Sequence, residues 1–197
     1  FTRLLNQRVS AAAEKMCVFN NTQGGGRKMR DIREKLSIIR GVIDHANRND
    51  KQLYLLLTDI SKAFDSVPHN AVTAAYRFFN FPEGIITLVR NMVESNVATV
   101  GTQHTSRSID INRGTRQGDS LSPTTYVIVH QLVLLYVKQR ASGYQAMSQR
   151  IWNVAYVDDC NLFSDKLDDL QTMANDMYRA LKWIGLSMHP DKLEFFA

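Results

Sequence analysis

Two adjacent carboxylates stand between two short apolar runs near the end of the chain, in Tyr156-Val157-Asp158-Asp159. Residues 151–157 and 160–163 are rich in residues that favour strands, and few residues separate them. The pattern predicts a hairpin whose tight turn displays both aspartates. By itself an Asp pair after a tyrosine is a weak signal, so its meaning depends on the rest of the chain.

A third carboxylate, Asp59, ends the apolar run at residues 53–58. The run predicts a buried strand that delivers Asp59 at its carboxyl end. If this strand lies beside the hairpin, Asp59, Asp158 and Asp159 come together on neighbouring strand ends. Carboxylate oxygens are hard ligands, so the three residues predict a site for divalent cations.

Composition narrows the class of protein. The chain has 197 residues, 44% of them hydrophobic, which can form one domain or one compact part of a larger one. No run reaches the roughly 18 apolar residues of a membrane helix, and no secretory leader is visible. Only Cys17 and Cys160 are present, too few for a disulfide framework. We therefore expect an intracellular protein, nuclear or cytoplasmic. The net charge of +5 favours a phosphate-rich partner, and without a membrane-length apolar run no membrane partner is expected.

Hydrophobic periodicity predicts a mixed order of helices and strands. Helices are expected at residues 1–16, 29–43, 71–79, after Pro82, at 123–137 and at 168–184. Strands are expected at residues 53–58, 95–103, 106–112, 151–157, 160–163 and 193–196. In the second helix the apolar stripe is Met29, Ile32, Leu36, Ile39 and Ile43. The residues Arg30, Arg33, Lys35 and Arg40 would then face solvent, or else contact phosphates.

Two further segments carry candidate site residues. In residues 57–68, a turn directly after Asp59 would place Phe64 beside a bound sugar, although Phe64 could equally be a core residue. In residues 114–123, a glycine-bearing loop leads into a helix, so Gln117 and Gly118 could approach a nucleotide. The same loop could simply cap the helix.

A last segment, residues 185–192, ends in a lysine that follows a turn. Lys192 could reach a leaving pyrophosphate, but a lysine in such a position is most often a solvated surface residue.

Taken in order, these segments resemble the palm of a reverse transcriptase. The matching stretches are Asp59-Ile60 with Ala63-Phe64-Asp65, Arg116-Gln117-Gly118 with Leu121-Ser122-Pro123, Tyr156-Val157-Asp158-Asp159, and Gly185-Leu186 with Pro190-Asp191-Lys192. The resemblance implies an α+β fold: a polymerase palm with an antiparallel sheet and helices packed on one face, part of the fingers, and no thumb. It places part of the fingers and the helices that lead into the palm at residues 1–50, and the palm with the catalytic motifs at residues 51–197.

The resemblance also implies the chemistry. Asp59 and Asp158 would bridge two Mg²⁺ ions, replaceable by Mn²⁺, with the Ile60 carbonyl as a further ligand and Asp159 in support. Nucleotide and template contacts would come from Ala63, Phe64, Arg116, Gln117 and Gly118. Lys192 would donate a proton to pyrophosphate. The implied activity is RNA-directed DNA polymerisation, in which dNTPs extend a primer of DNA or RNA on an RNA template.

Residues 23–28, Gln-Gly-Gly-Gly-Arg-Lys, resemble a stretch of non-LTR retrotransposon and group II intron enzymes, with Gly26 in place of a phenylalanine. Such enzymes carry a fingers hairpin before this region and a thumb after it. We expect both in the parent protein, and we expect the isolated piece to be a weak or inactive polymerase.

Two other functions stay open at this point. A viral RNA-dependent RNA polymerase uses a related palm, but its first motif usually carries a second aspartate where this chain has Ala63 and Phe64. A catalytically silent scaffold that binds RNA or protein is the other alternative. The three aspartates are intact, which favours the enzyme.

Overall fold

Helices and strands follow one another along the described part of the chain in the computed structural model, which covers residues 1–28, 30–94, 97–101, 106–116 and 118–197. The helices are α1 Thr2–Lys15, α2 Ile32–Arg48, α3 Ala63–Ser66, α4 His69–Phe78, α5 Glu83–Glu94, α6 Ser122–Lys138 and α7 Leu167–Trp183. The strands are β1 Tyr54–Thr58, β2 Val97–Gly101, β3 Ser106–Asp110, β4 Tyr144–Ala146, β5 Gln149–Ile151, β6 Asn153–Tyr156, β7 Asp159–Ser164 and β8 Glu194–Phe196.

The central sheet has the strand order β6-β7-β1-β8, and every pairing in it is antiparallel. Successive side chains of a strand point to opposite faces. On β7, Leu162 therefore joins one hydrophobic cluster and Phe163 the other. Strands covered on both sides read as continuous apolar runs, which is why residues 53–58 show no polar alternation.

The larger cluster lies between the sheet and a layer of helices formed by α4, α6 and α7. Helix α6 is buried along most of its length, and its apolar side chains lie on all sides of the helix rather than in one stripe. Such a helix belongs in the centre of a core. This α+β arrangement is the predicted fold class. One detail differs from the prediction of helices on one face: helix α2 adds a smaller second layer on the opposite face, where Val42 and Ala46 meet Leu55, Val154 and Phe163.

The orientation of α2 differs from the sequence prediction. Leu36 is 57% exposed and Ile43 is 37% exposed, whereas Lys35, Val42 and Ala46 are buried. Lys35 reaches the loop before the helix, where its Nζ donates to the Asn21 carbonyl over 2.9 Å. Lys35 is therefore an internal anchor rather than part of a solvated or phosphate-binding face. Met29, the first member of the predicted stripe, lies outside the described residues.

The other cations of this segment pair with nearby carboxylates. Salt bridges join Arg30 to Glu34, Arg33 to Asp31 and Arg40 to Asp44. Paired side chains that are wholly or partly exposed are typical of a solvated helix face.

The remaining helix and strand predictions agree with the structure within one to a few residues. The short helix α3 and the β4–β5 hairpin were not predicted. Among the described residues, no helix is both long and apolar enough to cross a membrane.

Candidate active site

The hairpin of β6 and β7 carries the aspartate pair. Tyr156 is paired with Asp159, so the turn consists of Val157 and Asp158. The prediction that the turn displays both aspartates is therefore corrected in one detail: Asp158 occupies the turn, while Asp159 is the first residue of β7. Val157 has a φ of 59°, a left-handed conformation that is unfavourable for a β-branched residue.

Asp59 lies next to this pair. Thr58 is opposite Cys160 in the β1–β7 ladder, so the following residue, Asp59, comes beside Asp159. The Thr58 hydroxyl donates to the Cys160 carbonyl over 2.7 Å, which ties the two strands at this end. The structure thus brings the three predicted aspartates together at one edge of the sheet.

The pKa values of Asp158 and Asp159 both lie above the usual range of an aspartate. Burial raises the pKa of Asp158, and the charges of Asp159 and Asp59 raise it further. Burial, followed by the charge of Asp59, also raises the pKa of Asp159. Like charges held this close favour the binding of a cation.

The carboxylates at this edge suit a metal ion that takes its remaining ligands from water and substrate. Among the described residues, no group of three or more His, Cys, Asp or Glu side chains is placed so that it could hold a metal ion by itself. Mg²⁺ is usually held by one or two carboxylates together with waters and substrate phosphates rather than by an all-protein cage. An open edge with Asp59 and Asp158 meets that requirement.

Lys192 is the fourth charged residue at this edge. Its Nζ lies 2.8 Å from Asp59 Oδ2, and this bond raises the pKa of Lys192. The lysine lies in a short 3-10 helix at Pro190–Lys192. That helix is held close because the His189 amide donates to the Asp59 carbonyl over 2.9 Å. Lys192 is thus placed beside the carboxylates although its side chain is 60% exposed, and its catalytic role stays a prediction.

The backbone turns directly after Asp59, as predicted. Lys62 has a φ of 45°, and α3 follows at once. The Phe64 ring is half-buried and packs against Tyr126, with ring centroids 5.1 Å apart. Ile60 and Ala63 are buried, and their predicted contacts with metal and nucleotide stay predictions.

The predicted nucleotide loop is attached to this turn. The Thr115 amide donates to the Phe64 carbonyl over 2.8 Å, and the Gly114 amide donates to the Val67 carbonyl over 2.8 Å. Gly114 has a φ of 92°, and a Cβ there would lie 2.9 Å from the Asp65 carbonyl oxygen, so only glycine fits without strain.

The end of that loop is described only in part. Arg116 and Gly118 are exposed, and the Ser122 hydroxyl donates to the Arg116 carbonyl over 2.7 Å. Gln117, a predicted nucleotide contact, lies outside the described residues. The roles assigned to these loop residues stay predictions.

Two buried side chains that the sequence did not single out for this site contact the turn. The Val157 amide donates to Gln23 Oε1 over 3.0 Å, and Gln23 Nε2 donates to the Val157 carbonyl over 3.1 Å. His130 Nδ1 lies 3.1 Å from the same carbonyl. Gln23 stands in the glycine-rich stretch of residues 23–28, but a contact across 134 positions leaves no local sequence signal.

The whole chain matches one known protein family. The model of the family described as "Reverse transcriptase (RNA-dependent DNA polymerase)" matches residues 1–197. The chain belongs to the reverse transcriptase family. Reverse transcriptases are nucleotidyltransferases that depend on divalent metal ions.

Curated relatives of this reverse transcriptase chain are retrotransposon proteins. It is 30% identical over 169 residues to a Pol polyprotein of the type-1 retrotransposable element R2 of Nasonia vitripennis, covering 84% of this chain and 16% of that protein. It is 27% identical over 161 residues to the R2DM polyprotein of Drosophila melanogaster, covering 81% of this chain and 15% of that protein. The chain thus spans about one sixth of these relatives. These R2 relatives support the predicted placement of the chain among the non-LTR retrotransposon enzymes.

Solved structures show the same fold. The telomerase of Candida albicans, solved with a fragment of telomeric RNA, superposes with a TM-score of 0.78 at 14% identity. The match covers 99% of this reverse transcriptase chain and 34% of that protein. Apo telomerase of Candida tropicalis gives a TM-score of 0.73 at 14% identity, covering 99% of this chain and 36% of that one. At this identity the likeness concerns the fold alone.

His130 supports a prediction about pH and stability. Burial lowers the pKa of His130 to about 4, while the Val157 carbonyl opposes this shift. The unfolded chain then binds the proton more readily, so the contribution of neutral His130 is complete above its unfolded pKa of about 6.5 and is lost as pH falls toward 4. Between pH 7 and pH 5 we expect the free energy of unfolding to fall by about 2 kcal/mol more in the natural chain than in His130→Gln.

Denaturant unfolding of both proteins at the two pH values measures this difference. Glutamine can still donate to the Val157 carbonyl but does not titrate. Equal losses in the two proteins would show that His130 is already free to take up a proton in the folded state.

Proposed function

We propose that this chain is the catalytic palm, with part of the fingers, of a retroelement's RNA-directed DNA polymerase. The observation that carries the proposal is the meeting of Asp59, Asp158 and Asp159 at one open sheet edge, with Lys192 beside them. Phe64 lies in the segment that turns away after Asp59, and the loop that contains Gly114 and Thr115 is hydrogen-bonded to that segment. A carboxylate cluster of this kind, together with the family's nucleotidyltransferase chemistry, supports phosphoryl transfer.

Asp59 and Asp158 would hold two Mg²⁺ ions, or Mn²⁺ in their place, and the Ile60 carbonyl would add a backbone ligand. When bound, the ions supply the positive charge that lowers the energy of the attacking and leaving oxygens. Asp159 would contribute its negative charge from the adjacent position on β7.

The other side chains would position the substrates. Phe64 would lie against the sugar of the incoming dNTP, and the backbone near Ala63 would approach its phosphates. Arg116, Gln117 and Gly118 would contact the nucleotide and the template. Lys192, which the Asp59 bond holds at the site, would protonate the departing pyrophosphate.

The partners follow from the reaction: an RNA template, a DNA or RNA primer and dNTPs. Base pairing supplies the sequence information, and the protein contacts phosphates and duplex shape. Residues 1–50 would form part of the fingers, while a fingers hairpin and a thumb elsewhere in the parent protein would grip triphosphate and duplex. The polymerase would act inside the cell, where dNTPs and the element's RNA are found.

Primer extension by a polymerase that contains this chain tests the proposal. We expect extension on an RNA template with dNTPs that requires a divalent cation and stops on chelation. Binding of the template without extension would indicate the scaffold function. Preferred use of ribonucleotides would indicate an RNA polymerase.

Phe64→Val should relax the choice of sugar. If the ring lies under the incoming sugar, a 2′-hydroxyl collides with it, and discrimination is a difference in transition-state binding. We expect incorporation of ribonucleotides relative to deoxyribonucleotides to rise by at least about tenfold, which corresponds to about 1.4 kcal/mol. The two incorporation efficiencies, measured side by side, give the ratio.

The half-buried position of Phe64 allows a purely structural role, which has a different signature. Truncating a core residue costs about 1 to 3 kcal/mol of stability and lowers use of both sugars equally. An unchanged ratio together with a lowered melting temperature would reject the role of Phe64 in sugar selection.

A further inference from the structure

The loop before α2 touches the turn that carries Asp158. Gln23 is fully buried and makes a two-way bond to the backbone of one turn residue: its Oε1 accepts from the Val157 amide at 3.0 Å, and its Nε2 donates to the Val157 carbonyl at 3.1 Å. The same Oε1 also accepts from the Gly25 amide at 2.8 Å. Gln23 therefore satisfies both backbone groups of Val157 from outside the hairpin.

The loop is itself held in place by bonds that do not involve the turn. The Gly24 amide donates to the Ala155 carbonyl, and the Ala155 amide donates to the Thr22 carbonyl, both over 2.9 Å. Arg27 joins the loop to α1 through a two-point salt bridge with Glu14. Gln23 thus reaches the turn from a loop that is anchored by its own bonds to β6 and α1.

Val157 needs such support because of its conformation. Its φ of 59° is unfavourable for a β-branched residue, and such conformations persist only where the surroundings hold them. His130 Nδ1 bonds the same carbonyl. A Cβ at Gly25 would collide with the Val157 backbone. The loop and α6 thereby enclose the residue immediately before Asp158.

We propose that Gln23 is a positioning residue for Asp158. By holding Val157 in its left-handed conformation, it sets where the Asp158 carboxylate stands relative to Asp59. An error of about 1 Å in the position of a group can cost about 100-fold in rate. The inference rests on the proposed function for its catalytic consequence, but the effect on the carboxylate position does not depend on it.

Gln131 provides a matched control. It is also a buried glutamine bonded to the same loop, since its Oε1 accepts from the Asn20 amide at 3.1 Å. No described hydrogen bond links its side chain to the turn. Gln23→Met and Gln131→Met each replace a buried amide by an apolar side chain of similar length. Only the first removes the bonds to Val157.

The test uses a polymerase that contains this chain and measures two quantities. In primer extension, Gln23→Met should lower the single-turnover rate by at least about tenfold and raise the Mg²⁺ concentration for half-maximal rate by at least about fivefold. In thermal unfolding, Gln23→Met should require at least about fivefold more Mn²⁺ than the natural protein for the same rise in melting temperature. Gln131→Met should leave both metal requirements within about twofold of natural values.

The results separate this inference from the proposed function. If the two variants lose stability alike and keep the natural metal requirement, Gln23 is only a loop anchor and the inference fails. If the natural protein extends no primer but Gln23→Met still weakens the Mn²⁺ effect, the proposed function fails and the positioning role stands. Should Gln23→Met not fold, Gln23→Asn keeps a neutral amide but is one methylene shorter and cannot hold both bonds to Val157, and the same outcomes apply to it.

Discussion

Asp158→Asn is expected to lower turnover by at least about 10²-fold in a polymerase that contains this chain, because metal charge stabilisation contributes several kcal/mol. The asparagine would keep the shape of the side chain while removing its charge from the turn between β6 and β7. The fold should persist, since the substitution removes one of three mutually repelling carboxylates. Primer extension at saturating Mg²⁺ measures the effect.

Asp50→Asn is the matched control for this experiment. Asp50 is exposed, lies before β1 at the end opposite Asp59, and has a φ of 50°, which asparagine also tolerates. We expect turnover close to that of the natural protein. Near-normal turnover of Asp158→Asn at saturating Mg²⁺ would show that Asp158 is not a metal ligand.

Lys192→Leu is expected to slow the chemical step by about 10² to 10⁴-fold while leaving affinity for the primer–template duplex nearly intact, as is typical of losing a general acid. The structural basis is the 2.8 Å bond from Lys192 Nζ to Asp59 Oδ2, which places the ammonium group at the carboxylate cluster. A single-turnover rate and a duplex binding constant, measured on the same preparation, separate the two effects.

Lys51→Leu serves as the control, since Lys51 is exposed and precedes β1, at the far end of that strand from Asp59. Both lysine variants lose one positive charge, so a nonspecific electrostatic effect on duplex binding would appear in both. An unchanged single-turnover rate for Lys192→Leu would return Lys192 to the status of a solvated surface residue.

Local patterns predicted most of the elements that build the site. The hairpin followed from two apolar runs around Asp158 and Asp159, and the strand before Asp59 followed from its apolar run, because strand formation depends on nearby residues. The order of the motifs along the chain indicated that the three aspartates meet. The β1–β7 ladder confirms that they do.

Orientation was harder to predict than the existence of elements. The stripe through Leu36 and Ile43 predicted the buried face of α2, but the helix buries Val42 and Ala46 instead. Lys35 is also buried, and desolvation lowers its pKa. A helix turns toward whatever apolar surface the sheet offers, here Leu55, Val154 and Phe163, and that surface is assembled from distant parts of the chain.

The sequence by itself determined the family, the element order and the identity of the three aspartates, because these are written in contiguous motifs. Only the tertiary structure decided which contacts hold the site in place. Lys192 pairs with Asp59, and Gln23 and His130 bond to the backbone of Val157. These partners are separated by 133, 134 and 27 positions. Hydrogen bonds across such separations depend on where whole elements pack, so no local pattern of residues encodes them.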